Sequence, residues 1–469
     1  MSNSQRDFDL IIIGGGSGGY AAARSAASSG KRVAVVENGK RVGGLCILRG
    51  CMPTKTLLYA AEVAQLAREA SVWGINISKV DPVWEKVMAR KNQLIDEFAA
   101  YREQQLNDGR FTFIRDSASF LDRHTIQLAS NGTLTAENFV VATGSQVSPS
   151  PLPALTNTGY LTSDDALDLP RQPSSLIVLG GGAVAVELAQ FFQRMGTQVT
   201  LVQRSPTLLK EFDQDVAREV EAALRAEGMK IYTGTRLIDA CQTKEGKLIR
   251  FIQEGDPCAV EAEHILMALG RSPNTSGLNL DGIGVDIDPQ TGRIQCNQAM
   301  QTTVPSVYAA GDCTGPHDVV HLAIAQGEAA AQNICHPEVP RPIDNRLLTS
   351  IVFTDPQVGQ TGLTEREAKS RRIPYRTADY PFNDHGKSMI MNSQFGFVRL
   401  LADERSGEIL GGTCVGPVGG ELIHEITVAM SMRMTVHQLA KVPHYHPTLA
   451  EIWTYPAEEL AEEISETKG

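Results

Sequence analysis

At 469 residues the chain is long enough for roughly three domains of about 150 residues each. Hydrophobic residues at 42% and charged residues at 21% exclude a disordered chain, and no run of about 18 apolar residues offers a membrane span. A net charge of -11 argues against a phosphate-tracking nucleic-acid surface, and eight cysteines are too sparse for a secreted disulfide scaffold.

The first predicted element is a strand over Asp9–Ile13, an apolar run suited to a buried parallel strand. Gly14, Gly16 and Gly19 follow in G-x-G-x-x-G spacing, and a small-residue helix is expected over 21–27. In such a unit the first glycine permits the tight turn and the second lets backbone approach a pyrophosphate. The third lets the helix pack on the strand, and the helix N-terminus attracts the phosphates. A second strand, Arg32–Val36, ends at Glu37, 23 residues after Gly14. That is close to the offset of about 20 expected of a carboxylate holding a ribose diol. The residues before the first strand lack a basic region and a cleavage site, so a cytoplasmic protein is expected.

Cys46 and Cys51 come next, in GGLCILRGCMPTKTLL, ahead of a helix expected over 56–68. Two buried packing thiols are the plain alternative. A glycine-flanked helix start, whose dipole and free N–H groups lower a thiol pKa, favours a pair that cycles between disulfide and dithiol. No second cysteine or histidine pair stands nearby to complete four metal ligands, so no metal site is expected. An ATG turn follows at Ala142, Thr143 and Gly144, and the Pro/Ser-rich run Ser148 to Leu155 reads as a boundary.

The strand–glycine–helix pattern then repeats. A strand over 176–179 leads to Gly180 and Gly182, with Ala185 in the third small position, and a strand over Gln198–Val202 ends at Gln203 and Arg204. Two such units imply two nucleotides with electrons passing between them. Further along stand Leu269 to Asn274 (with Gly270), the YAAGD run ending at Asp312, and HPTLAE with His446 and Glu451.

These ordered motifs, with Cys46, Cys51, Pro53 and Lys55 in a C-x-x-x-x-C-x-P-x-K run, resemble the class I pyridine nucleotide–disulfide oxidoreductases. That is the family of dihydrolipoamide dehydrogenase, glutathione reductase and mercuric reductase, and the resemblance covers nearly the whole chain. It implies an α/β fold with two dinucleotide-binding (Rossmann-like) domains plus a C-terminal α+β dimerisation domain. The FAD-binding domain would take residues 1–150 and 275–340, the NAD(P)-binding domain 151–274, and the interface domain 341–469.

The resemblance implies FAD held by Gly14, Gly16, Gly19, Glu37, Lys55, Thr143, Gly144 and Asp312. It implies NAD(H) or NADP(H) held by Gly180, Gly182, Glu187, Gln203, Arg204, Lys210 and Gly270. Glu37 would take the adenosine ribose and Asp312 the ribityl and phosphate region. Cys51 would be the flavin-side, charge-transfer thiolate and Cys46 the interchange thiol. Lys55 and Glu187 would form the ion pair near flavin N5, where a cation favours the charge of the reduced ring. His446 would take the thiol proton and Glu451 would orient it. In the family that histidine comes from the partner subunit, which implies an obligate homodimer.

Within the family, H-x-H-P-T-L-x-E (His444 to Glu451) and Tyr20 resemble dihydrolipoamide dehydrogenases. The final EEISETKG carries no cysteine pair of the mercuric-reductase kind. The expected function is therefore an FAD-dependent dithiol/disulfide oxidoreductase passing electrons between a lipoyl-type dithiol and NAD(P), with a lipoylated carrier protein or complex as partner. The alternatives are an NADPH-dependent reductase of another disulfide, glutathione reductase-like, or a slow flavoprotein redox sensor. Two departures stand out. Leu45, Ile47, Leu48 and Arg49 make the cysteine loop apolar and cationic, and Arg49 is a candidate contact for an anionic substrate. Gln203 stands where NAD-specific members place a carboxylate, while Arg204 and Lys210 resemble the basic pair that neutralises a 2′-phosphate. The six other cysteines are expected to be packing residues.

Overall fold

The computed structural model describes residues 6–466; the first five residues and the last three of the EEISETKG run lie outside the described residues. The chain forms two compact units. The first runs through residue 54 and adds Met88–Pro149 and Gly270–Ile343; the second takes Lys55–Val87, Ser150–Leu269 and the chain from Asp344 onward.

In the first unit, strands Thr112–Ile114, Val33–Val36, Phe8–Ile13, Thr133–Val141 and Val307–Ala309 lie side by side in parallel. Ile12 pairs with both Val35 and Val140. Because side chains alternate across a strand, the unbroken apolar run supplies two cores. Leu10, Ile12, Val33, Val35 and Val140 join one, while Ile11, Ile13, Ala34, Val36 and Val141 join the other. Helix Ser17–Ser28 is rich in small residues because it packs backbone to backbone on helix Val320–Cys335; a Cβ on Gly327 would run into the Gly18 carbonyl oxygen.

The second unit repeats the parallel plan. Strands Lys230–Tyr232, Gln198–Val202, Ser175–Leu179 and His264–Met267 form one sheet, beside an antiparallel three-stranded sheet over 235–262. A five-stranded antiparallel sheet, built from Thr349–Val352, Gln357–Gly362, Ile409–Gly416, Phe397–Asp403 and Tyr375–Pro381, is covered by helices Gly419–Ser431 and Thr454–Glu466. Trp453 is fully buried there, and its indole N–H donates to the Leu422 carbonyl at 3.1 Å. Among the described residues no helix is long and apolar enough to cross a membrane.

Candidate active site

The cysteine loop is more helical than the sequence suggests. Gly43 and Gly44, at φ +140° and +66°, turn the chain into a short helix, Gly44–Leu48, that contains Cys46. The next helix starts at Cys51 itself rather than at Thr56, and runs to Glu69. Pro53 does not prevent this, because N–H groups of a helix's first turn have no intrahelical acceptor to lose. Both cysteines are half-buried, and Arg49 between them is exposed.

Around this loop the first unit forms a cradle that fits a dinucleotide. Gly14 sits at φ +109°, and a Cβ there would run into the Ala142 carbonyl oxygen. Gly16 caps the following helix with no side-chain bond, leaving first-turn N–H groups available to phosphate. A Cβ on Gly44 would lie 2.7 Å from Gly16 Cα, so bulk is excluded where a pyrophosphate would pass. Thr143 Oγ1 is buried with no hydrogen-bond partner, next to Gly144 at φ +69°. Asp312 accepts a hydrogen bond from Ser145 Oγ at 2.7 Å. The two oxygens of Glu37 accept from the Gly15 and Gly39 N–H groups, each at 2.7 Å. Orphaned donors, an unpartnered hydroxyl and a carboxylate at the end of the second strand are the partners FAD asks for.

The second unit holds the matching turn. Gly180 has φ +123°, and a Cβ there would run into the Ala268 carbonyl oxygen; Gly182 caps helix Ala183–Met195, again without a side chain. Gly270, at φ +123°, belongs to the first unit. Where Glu37 reaches up to Gly15 in the first unit, buried Gln203 packs beneath Gly181, its Cδ 2.9 Å from where a Cβ would stand. Gln203 Oε1 accepts from the Arg204 N–H at 3.1 Å. Arg204 and Lys210 are both exposed, and Lys210 Nζ lies 3.9 Å from the Glu211 carboxylate. Within the same unit Lys55 Nζ donates to Glu187 Oε2 at 2.8 Å. Glu187 is buried, and its other oxygen accepts from the Phe353 N–H at 2.9 Å. Lys55 Nζ also stands 4.5 Å above the centre of the Phe353 ring. No sequence spacing marks Phe353 as the third member of this group.

The C-terminal motif sets an exposed histidine against a buried carboxylate. His446 Nδ1 lies 2.9 Å from Glu451 Oε2 and 3.2 Å from Oε1. Glu451 is buried in the 3₁₀ turn Ala450–Trp453, whereas the His446 side chain is 77% exposed. His444, in the same motif, is spent elsewhere, with Nε2 2.6 Å from Glu425. A further histidine escaped the sequence reading. His385 is wholly buried, with Nε2 3.4 Å from Glu451 Oε1 and Nδ1 2.8 Å from Ser388 Oγ. Burial pushes its pKa down, against the pull of Glu451.

The first unit also contains a pocket of about 340 Å³ lined by Ser17, Tyr20, Arg24, Ile47, Phe98 and Arg102 among others. Ile47 is the neighbour of Cys46. Arg24 is paired to Glu328 at 2.7 Å, whereas Arg102 stacks 4.1 Å above the Tyr20 ring with Nε and Nη1 buried and without hydrogen-bond partners. Burial lowers the Arg102 pKa. Sequence spacing singled out neither Arg102 nor the pocket.

Residues 8–327 match the pyridine nucleotide-disulphide oxidoreductase family and residues 348–457 its dimerisation domain, which supports a homodimer. The chain is 34% identical to a dihydrolipoyl dehydrogenase of Thermus scotoductus (strain ATCC 700910 / SA-01), over 97% of this chain and 98% of that protein. It is 32% identical to a mercuric reductase of Staphylococcus aureus, over 96% of this chain and 82% of that protein. The crystal structure of LpdA from Mycobacterium tuberculosis superposes with a TM-score of 0.86 at 28% identity, covering 96% of this chain and 99% of that one. The chain therefore belongs to the class I pyridine nucleotide–disulfide oxidoreductases, FAD-dependent enzymes with a disulfide redox centre and NAD(P)H as electron donor.

Proposed function

We propose that the protein is a cytoplasmic dihydrolipoamide dehydrogenase-like enzyme that moves two electrons between a lipoyl-type dithiol, carried on a protein or complex, and NAD(P). The His446–Glu451 pair carries this reading: an exposed imidazole on a buried carboxylate is what thiol deprotonation near neutral pH requires. In a homodimer His446 of each subunit serves the cysteine pair of the other. It takes a proton from the dithiol, and the thiolate attacks Cys46 Sγ, breaking the Cys46–Cys51 bond and leaving Cys51 as thiolate. The second substrate sulfur then displaces Cys46, closing the substrate disulfide, and the pair holds both electrons. Bound FAD supplies the two-electron path from the cysteine pair to the nicotinamide. Gly14, Gly16, Gly19, Glu37, Thr143, Gly144 and Asp312 would hold it, and Lys55, fixed by Glu187, supplies a cation four residues along the helix from Cys51. Gly180, Gly182 and Gly270 would receive the nicotinamide nucleotide.

A second reading, an NADPH-linked reductase of a charged disulfide, draws on two observations. A neutral amide, Gln203, stands beneath the second glycine turn beside two exposed cations. The pocket beside Cys46 contains a guanidinium with unmet donors. Anaerobic titration of purified protein with dihydrolipoamide, NADH and NADPH separates the two. Stoichiometric reduction by dihydrolipoamide and rapid turnover with it support the first reading. Reduction by NADPH alone, with dihydrolipoamide inert, overturns it in favour of the second.

A further inference from the structure

Glu451 is held from two sides. His446 meets it from the exposed side, and His385 meets it from inside the protein, with Nε2 3.4 Å from Oε1. The His385 ring is 0% exposed and is closed in by the edges of Phe382 and Tyr455, each with its centre 6.4 Å away. Tyr455 is itself stacked flat on Tyr380 at 4.0 Å. The charged groups acting on His385 are Glu451, which draws a proton toward it, and His446, which opposes a second positive charge. The nearby acid, Asp384, is engaged by Tyr380 Oη at 3.2 Å.

This geometry selects one form of the ring. A neutral imidazole has one donor and one acceptor nitrogen. If Nδ1 carried the proton, the bare Nε2 lone pair would face a carboxylate oxygen in a site that water does not reach, an arrangement with no compensation. With the Ser388 hydroxyl, 2.8 Å from Nδ1, as donor to that nitrogen, the proton stays on Nε2, which has no hydrogen-bond partner and whose charged neighbour is Glu451 Oε1 at 3.4 Å. Burial pushes the pKa of the ring down, which favours its uncharged form.

We propose that His385, locked by Ser388 as the Nε2–H form, is a positioning residue for the proton step: its otherwise unpartnered Nε2–H faces the rear oxygen of Glu451 at 3.4 Å, an electrostatic contact that tempers the pull of that carboxylate on His446. An unshared Glu451 would concentrate its charge on His446 and hold the proton that this imidazole takes more tightly. With the second donor in place the carboxylate still orients His446 but holds its proton less tightly. The inference rests on His446 being the base of the dithiol reaction.

The experiment measures the pH profile of kcat/KM for dithiol oxidation in the FAD-loaded enzyme, together with the NMR titration of the His446 ring, for four variants. His385→Phe removes the donor and keeps the bulk. The acid limb and the His446 titration are expected to move up together by about half a pH unit, which is about a threefold loss at pH 6 and none at pH 9. His385→Gln places an N–H where Nε2 was and should restore both values. His385→Asn keeps only the Ser388 side and should behave like Phe. Ser388→Ala, which frees the tautomer, should shift both values in the same direction by less. An unmoved His446 titration in His385→Phe, or equal behaviour of Gln and Asn, overturns the proposal. His446→Ala separates this from the parent reading: retained dithiol turnover there overturns the base assignment itself, whereas lost turnover with unmoved His385 variants overturns only the role of His385.

Discussion

Lys55 and Glu187 lie 132 positions apart in the chain, yet their side chains meet at 2.8 Å with the carboxylate almost wholly buried. Glu187 keeps a second donor, the Phe353 N–H, and Lys55 keeps the Phe353 ring, so the pair is framed by one residue on two sides. Breaking such a pair from one end costs more than removing it, because the remaining buried charge is stranded. Lys55→Met is expected to lower unfolding stability by about 2 kcal/mol, the solvent-exposed edge of the lysine keeping the loss below that of a fully buried pair. Lys55→Met/Glu187→Leu should recover at least half of that in chemical denaturation. A double variant no more stable than Lys55→Met would mean that the carboxylate is not stranded.

Cys46→Ser and Cys51→Ser should each lower dithiol-to-nicotinamide turnover by about 10³ or more, while NAD(P)H oxidation by a one-electron acceptor that bypasses the thiols continues. Steady-state assays with lipoamide and with ferricyanide in parallel make the distinction. Turnover of lipoamide near the wild-type rate in either variant rejects the relay.

The exposed Arg204 and Lys210 beside buried Gln203 predict a nucleotide preference that charge substitution can move. Arg204→Ala/Lys210→Ala should reduce kcat/KM for NADPH by about 10- to 100-fold, the worth of one or two charge-assisted hydrogen bonds, and change that for NADH little. Gln203→Glu should push the ratio further toward NADH. A wild-type enzyme preferring NADH by three orders of magnitude contradicts the charge argument.

The unmet donors of Arg102 in the pocket lined by Tyr20 and Ile47 predict a preference among disulfide substrates. Arg102→Met should lower kcat/KM for a carboxylate-bearing disulfide by about tenfold and leave neutral lipoamide within about twofold. Equal losses on both substrates would assign Arg102 to packing against Tyr20.

Burial of His385 also sets a pH dependence of stability. Its folded pKa lies below the ordinary histidine value, so the unfolded chain binds the proton more readily. The contribution is fully present above about pH 6.5 and is lost as pH falls toward the folded pKa. Thermal unfolding of the wild type should therefore decline from about pH 6.5 downward more steeply than that of His385→Gln, with parallel curves at pH 8. Parallel curves across the whole range would mean that His385 is not held neutral.

Much of the site is written in local sequence because its chemistry sits in contiguous turns. Gly14, Gly16 and Gly19, read together with the strand before them and Glu37 after them, mark the first dinucleotide turn, and His446 with Glu451 lie within one short run. The start of the helix after the cysteines is harder to read, because Pro53 suggests an interruption where the first turn in fact tolerates it. Phe353, Arg102 and His385 leave no local trace. Each acquires its role from a strand pairing or helix contact that brings distant chain together, and a histidine in PFNDHGKSM looks like any polar loop residue. Gln203 lies between these cases: its position is legible, but its burial beneath Gly181 is visible only in three dimensions.

His385 touches no solvent, and it reaches the His446–Glu451 pair through one carboxylate oxygen. A lineage adapting to a more acidic or alkaline habitat has there a tuning screw set behind the wall. Exchange at that one hidden position resets when the enzyme works best, while every surface that recognises its reactants is inherited untouched.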